Sequence, residues 1–186
     1  MFSALADVDW KMKQMGPAGG VMYCFDVKSA FGSVNRMRAF HDLKAKMPDE
    51  IYLDKLFNCY NKTKMNVDLG FMTVDGIKIL KGYPEGCSVG ANLYIITMAS
   101  VIKYVLDRYP EAQLVLYSDD VCAICRDTDE LERVHTLLCE GLAYFGLRFD
   151  GSKACFIRFG AYTVDEITLT SPDGTVSTVK HSDAIR

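Results

Sequence analysis

Tyr117-Ser118-Asp119-Asp120 sets two adjacent carboxylates at a turn between the apolar runs Leu114-Val115-Leu116 and Val121-Cys122-Ala123-Ile124-Cys125. Side-by-side acids repel each other, so a hairpin tip that carries two is a place where a cation is expected. A third acid far upstream adds meaning to the pair. Asp26 ends the apolar run Val21-Met22-Tyr23-Cys24-Phe25 and is followed by Val27-Lys28-Ser29-Ala30-Phe31. Carboxylates at the ends of two separate strands can share metal ions. That arrangement suits phosphoryl transfer, where two metals about 4 Å apart clamp the attacking and leaving oxygens of an in-line displacement.

The chain has 186 residues, 49% of them apolar, which is enough for one compact domain with a proper core. Its formal charge of −3 is the opposite of the basic face that a phosphate backbone calls for. Either the partner is not nucleic acid or the basic parts lie elsewhere. Seven cysteines are scattered rather than framed, and Met1-Phe2-Ser3-Ala4-Leu5-Ala6-Asp7 lacks the basic-then-apolar pattern of a secretion signal. Reduced thiols and an intracellular setting, nucleus or cytoplasm, are expected. The longest nearly apolar run, Leu93 to Ile102, falls far short of the roughly 18 to 20 residues needed to cross a bilayer.

Along the chain, Ser33 is the expected N-cap of a helix through Val34, Met37, Phe40, Leu43 and Met47, stopped by Pro48. A second helix starts near Pro48-Asp49-Glu50 and reaches about Tyr60. The period then changes to two: Met65, Val67 and Leu69 alternate with polar residues, Val74-Asp75-Gly76 supplies a turn, and Ile77 and Ile79 continue the hairpin. Gly82-Tyr83-Pro84-Glu85-Gly86 breaks the strand, and a long apolar, buried helix follows from about Ser88 to Asp107. After the acidic hairpin, a helix is predicted from about Thr128 to Phe145. Thr128 is its cap, Leu131, Val134, Leu137, Leu138 and Leu142 its core face, and Gly146 its stop. A strand through Ala154-Cys155-Phe156-Ile157 and a polar hairpin around Ser171-Pro172-Asp173-Gly174 complete the order. This succession indicates an α+β fold, with helices covering one face of a mainly antiparallel sheet in which the two carboxylate-bearing strands are neighbours.

Taken together, Asp26, Pro84-Glu85-Gly86, Tyr117 to Asp120 and Lys153 resemble the palm of a reverse transcriptase, most nearly the non-LTR retrotransposon and group II intron branch. Phe25-Asp26-Val27-Lys28-Ser29-Ala30-Phe31-Gly32-Ser33-Val34-Asn35 looks like the family's first catalytic motif, an aspartate followed by three residues and then Ala-Phe. Gly82-Tyr83-Pro84-Glu85-Gly86 looks like its Gly-x-Pro-Gln-Gly motif, and Tyr117 to Asp120 like its Tyr-x-Asp-Asp box. Gly146-Leu147-Arg148-Phe149-Asp150-Gly151-Ser152-Lys153 looks like the Gly-Leu segment that ends in a lysine. Four motifs in the family's order are far more specific than a lone Asp-Asp pair. The likeness spans roughly Val21 to Ile157, and the family's fingers and thumb, which carry its basic contacts, are not matched. The chain is therefore expected to be a fragment.

The resemblance implies a ferredoxin-like polymerase palm and templated nucleotidyl transfer, in which a primer 3′-hydroxyl attacks the α-phosphate of a deoxynucleoside triphosphate and pyrophosphate leaves. It implies two Mg²⁺ ions, or Mn²⁺ in their place, held by Asp26 and Asp119 with Asp120 beside them and the backbone carbonyl of Val27 as a further ligand. Lys153 would sit near the leaving pyrophosphate as cation and proton donor. Phe31 would pack under the sugar and exclude a 2′-hydroxyl. Pro84, Glu85 and Gly86 would contact the nucleotide, and Tyr117 and Ser118 the primer. The implied partners are an RNA template, a DNA primer and deoxynucleoside triphosphates, with no membrane.

The match departs from the family at Glu85, which stands for glutamine, and at Gly90-Ala91, which stand for Ser-Pro. A carboxylate at position 85 repels phosphate unless protonated or paired. Two other readings follow: a catalytically silent reverse-transcriptase-like scaffold or RNA-binding domain, and a viral RNA-directed RNA polymerase palm. Phe31 and the Gly-x-Pro-x-Gly pattern speak against the second. Cys122 and Cys125, three apart on a strand, point to opposite faces and have no second pair at zinc spacing. His41, His135 and His181 share no spacing with acids or cysteines, and Met37 to Met47, Tyr94 and Tyr104 read as core.

Overall fold

The computed structural model describes residues 2–47, 49–84, 86–117 and 120–182. The elements run α1 (Phe2–Gln14), β1 (Gly20–Asp26), α2 (Ala30–Ser33), α3 (Arg36–Lys44), α4 (Glu50–Lys62), β2 (Lys64–Asp68) and β3 (Thr73–Lys78). They continue with α5 (Gly90–Arg108), β4 (Gln113–Tyr117), β5 (Asp120–Cys125), α6 (Thr128–Tyr144), β6 (Cys155–Phe159), β7 (Glu166–Thr170) and β8 (Val176–Lys180). They divide into two compact units, one of Met1–Lys28, Met98–Tyr144 and Arg148–Arg186, the other of Ser29–Thr97 and Phe145–Leu147.

The first unit is built on a four-stranded sheet of order β4-β5-β1-β6, antiparallel throughout. β1 is its centre, and its near-continuous apolar sequence follows from cover on both sides. On one face Met22, Cys24 and Ile124 form a cluster joined by Val8 and Met12 of α1 and by Met15. On the other, Tyr23 meets the His135 ring of α6 edge-on, with centroids 5.9 Å apart. The strand order, with helical connections after β1 and after β5, is the ferredoxin-like arrangement expected of a palm. α1 thus covers the face opposite α6. It was not legible in the sequence because Trp10, 59% exposed, stands between Val8 and Met12, the α1 residues that pack on the sheet among those whose side chains are described.

α6 buries Leu131, Val134, Leu138 and Leu142, as its period requires, while Leu137 is only half-buried. Its cap is Asp127, not Thr128: the Asp127 carboxylate accepts the Glu130 N–H at 2.8 Å. Thr128 is the first helical residue, and the side chain one position earlier is the one placed to accept from the exposed amides. β7 and β8 form the polar hairpin expected around Ser171, whose amide donates to the Thr175 carbonyl at 2.8 Å.

In the second unit, Asn35 rather than Ser33 caps the first long helix, accepting the Arg38 N–H at 3.2 Å. Ser33 instead closes the short α2. The buried stripe of α3 is therefore Arg36, Ala39, Phe40 and Leu43, and Met37 and Met47, 64% and 37% exposed, fall outside it. The β2–β3 hairpin forms, but residues 69–72 make its turn: the Asp68 carboxylate accepts the Gly70 N–H at 2.8 Å and Met72 O accepts the Leu69 N–H at 2.9 Å. Val74-Asp75-Gly76 lies within β3. Gly76, at φ +71°, marks a register shift there, its amide held by the Asn66 side chain at 2.9 Å, so the glycine signal belonged to a bulge. α5 is buried on one face only; Ile95 is 49% exposed. Among the described residues, no helix is long and apolar enough to cross a membrane.

Candidate carboxylate centre

β1 ends on Asp26 and β5 begins on Asp120, and these two residues are register partners. Cross-strand partners point to the same face, with Cβ atoms about 4.5–5.5 Å apart. Asp26 is half-buried and Asp120 exposed. Tyr117, the last residue of β4 and 48% exposed, pairs with Asp120 across the hairpin. Ser118 and Asp119, the two residues between them, lie outside the described residues, so the position of the third carboxylate is not part of the geometry.

The ammonium of Lys153 donates to the Asp26 carboxylate. A short run of backbone places it there. Val27 bridges Phe149, with the Lys28 amide donating to Arg148 O at 2.9 Å and the Asp150 amide to Asp26 O at 3.0 Å. These bonds use the carbonyl of Asp26 and the amide of Lys28, not the Val27 carbonyl. Asp150 then turns the chain: its carbonyl accepts the Lys153 amide at 3.1 Å and its carboxylate the Ser152 hydroxyl at 2.6 Å. The Ser152 hydroxyl holds the Asp150 carboxyl below its ordinary range, so it remains an ionised turn residue. Phe149 packs against Phe25 with ring centroids 3.8 Å apart and anchors the segment to β1.

Asp26 and Asp120 are hard oxygen donors on one sheet face, and Asp26 already carries a cation in the form of Lys153. This donor chemistry fits a divalent ion of the Mg²⁺ or Mn²⁺ kind. Among the described residues, no group of three or more His, Cys, Asp and Glu side chains is arranged to hold a metal ion.

The second unit holds the other sequence-identified residues. Phe31 lies in α2, its ring 4.8 Å from that of Tyr94, after Ser29 in the left-handed region at φ +48°. The carbonyl of Phe31 accepts the Tyr83 amide at 2.7 Å and that of Val34 the Gly82 amide at 2.8 Å, which zips the segment before Pro84 onto the Phe31 turn. Gly82 is at φ +74°, and a Cβ there would stand 2.4 Å from Gly32 O, so only glycine fits the crossing. Pro84 O accepts the Cys87 amide at 3.2 Å, while Glu85 lies outside the described residues. Phe31, Pro84 and Gly86 are thus elements of one unit, and Asp26, Val27, Tyr117, Asp120 and Lys153 of the other.

Sequence reasoning passed over Arg36. The residue is 2% exposed, and its guanidinium donates to Tyr60 O at 2.6 Å and to Ile79 O, tying α3, α4 and the end of the hairpin together. An arginine at an apolar stripe position was the available signal. His135 is likewise buried, its Nε2 3.3 Å from Ser171 Oγ. Burial pushes its pKa down to about 4, so it is neutral at pH 7.

A ferredoxin-like sheet with a carboxylate pair at adjacent strand ends is the architecture of a nucleotide-polymerase palm. A family model for reverse transcriptase (RNA-dependent DNA polymerase) matches residues 9–180, and the chain belongs to that family. Among solved structures it is similar to apo telomerase from Candida tropicalis truncated from its C-terminal domain: TM-score 0.52, 14% identity, 89% of this chain and 36% of that one. It is also similar to telomerase from Candida albicans in complex with a TWJ fragment of telomeric RNA: TM-score 0.54, 14% identity, 98% of this chain and 35% of that one. At such identity the likeness is one of fold, and the chain spans about a third of the length of these structures. No curated protein matches it.

Proposed function

We propose that the chain carries the nucleotidyl-transfer centre of an RNA-directed DNA polymerase. The observation that supports this is the register pairing of Asp26 with Asp120, with Lys153 bound to Asp26. Asp26, Asp119, Asp120 and the Val27 carbonyl would hold two Mg²⁺ ions, or Mn²⁺. When bound, the metal supplies Lewis-acid stabilisation of the charge on the reacting phosphate and hydroxyl oxygens.

The chain's own residues do the rest. Lys153 neutralises charge on the departing pyrophosphate and can deliver a proton to it. The Phe31 ring fills the space that a 2′-hydroxyl would need. Pro84, Glu85 and Gly86 line the incoming deoxynucleoside triphosphate, and Tyr117 and Ser118 meet the primer end. An RNA template and DNA primer are held by fingers and thumb supplied outside this palm. The Gly-x-Pro-x-Gly pattern supports placing it in the non-LTR branch.

Glu85 favours a second reading, a silent scaffold, because a carboxylate at that position repels the triphosphate. Primer extension by the full-length parent protein separates the two. Template-dependent DNA synthesis that Asp119→Ala removes supports the enzyme; no synthesis by the wild type supports the scaffold.

A further inference from the structure

One sheet face holds a pair of residues that the carboxylate centre does not use. Cys24 and Cys122 are register partners on β1 and β5, two positions inward from Asp26 and Asp120 and, by strand alternation, on the same face. Their Sγ atoms are 3.0 Å apart. Directly opposed residues of antiparallel strands have Cα atoms about 4.5 or 5.5 Å apart, and both values lie within the roughly 4.4–6.8 Å span of disulfides. The sulfurs therefore need a closing movement of about 1 Å and no change of register.

We infer that Cys24 and Cys122 are a redox modification site, whose oxidant is a small-molecule disulfide of the glutathione class and whose product is a cross-strand disulfide. Cys122 is half-buried and Cys24 only 8% exposed, which sets the order of events. The Cys122 sulfur attacks one sulfur of the small disulfide, the old S–S bond breaks, and one small thiol leaves with the displaced proton. The Cys24 sulfur then attacks Cys122 in the mixed disulfide, and the second small thiol leaves with the second proton. Two protein thiols lose two electrons in all, and one small disulfide becomes two thiols.

Cys155 is the register partner of Cys24 on its other side, so it is the competing thiol. The contact between Sγ atoms selects Cys122. Among the described residues, these cysteines belong to no group of three or more His, Cys, Asp and Glu side chains that could hold a metal ion.

The consequence rests on the function proposed above. A covalent tie two residues from the carboxylate pair fixes the spacing of β1 and β5 beside Asp26 and Asp120, whose adjustment around substrate it restricts, and displacements of about 1 Å at reacting groups cost on the order of a hundredfold in rate. Oxidation is thus expected to lower nucleotidyl transfer at least tenfold, and dithiothreitol to restore it.

The test uses the full-length protein treated with oxidised glutathione, followed by blocking of free thiols, peptide mapping by mass spectrometry and primer extension. A Cys24–Cys122 peptide, with activity lost and then recovered on reduction, is the expected result. Cys122→Ser should keep the reduced protein's activity and resist the oxidant. A persistent glutathione adduct on Cys122, a Cys24–Cys155 peptide, or no linkage overturns the site. Linkage that leaves an active enzyme unaffected overturns its control of catalysis. If the reduced wild type shows no synthesis, the polymerase reading fails instead, and the peptide map still decides the disulfide.

Discussion

Lys153 and Asp26, 127 positions apart in the chain, form an ion pair at the end of the central strand. The lysine side chain is 63% exposed, so the pair contributes less than about 1 kcal/mol to stability. On the function proposed above, its value lies in holding an ammonium where the pyrophosphate leaves. Asp26→Asn should therefore leave thermal unfolding within a few degrees of wild type. Primer extension by the parent protein should nevertheless fall by at least about a hundredfold, the scale of several kcal/mol of lost charge stabilisation. Activity within threefold of wild type would remove Asp26 from the centre.

The buried His135 gives a pH dependence with a definite sign. Its pKa falls from 6.5 in the unfolded chain to about 4 in the fold because burial penalises the imidazolium. Its Nε2 faces Ser171 Oγ and Cys139 Sγ, and its ring faces Tyr23 and Phe149, with no carboxylate in these contacts. The unfolded state binds the extra proton, so stability is complete above pH 6.5 and declines as pH drops toward 4, by up to about 3 kcal/mol. Urea unfolding at pH 7 and at pH 4.5 should show this decline in the wild type and a smaller one in His135→Gln. Equal declines in both would assign the acid sensitivity to other groups.

Gly82 tests the backbone crossing that seats the segment before Pro84. With φ at +74° and a Cβ that would lie 2.4 Å from Gly32 O, Gly82→Ala combines left-handed strain with a backbone overlap. A loss of about 2–4 kcal/mol is expected. Gly70→Ala is the control: its φ is +81° but nothing lies within 4 Å, so only the strain of about 1 kcal/mol remains. Chemical denaturation of both variants reads the difference, and equal losses would show that the contact with Gly32 is relieved without cost.

What could be read from sequence, and what could not, follows from the range of each signal. Local periodicity placed α4, α5, α6 and the β7–β8 hairpin, because each has its own apolar stripe or turn residues. The neighbouring of the strands that carry Asp26 and Asp120 also followed, since both acids had to meet to make chemical sense. The turn of the β2–β3 hairpin did not, because a glycine at positive φ serves a bulge as well as a turn. Caps moved by one or two residues for the same reason: Asp127, Thr128, Ser33 and Asn35 are all competent acceptors, and helix phase decides among them. Arg36 and the contact of Cys24 with Cys122 depend on pairing across the fold, which one-dimensional spacing does not carry.

Phe31 separates packing from selectivity. Its ring lies against Tyr94, so part of its role is to build the turn after Asp26. If it also excludes the 2′-hydroxyl, Phe31→Ala should lower the preference for deoxynucleotides over ribonucleotides in kcat/KM by about tenfold or more, the scale of one steric contact with a small group. Truncation should also cost about 1–3 kcal/mol of stability, less than a fully buried ring because Phe31 is half-exposed. The two effects are separable. Both substrates are read on the same enzyme, so the fraction folded cancels from their ratio. A ratio unchanged from wild type, with activity on both substrates reduced together, would leave Phe31 as a packing residue and move the discrimination to another side chain.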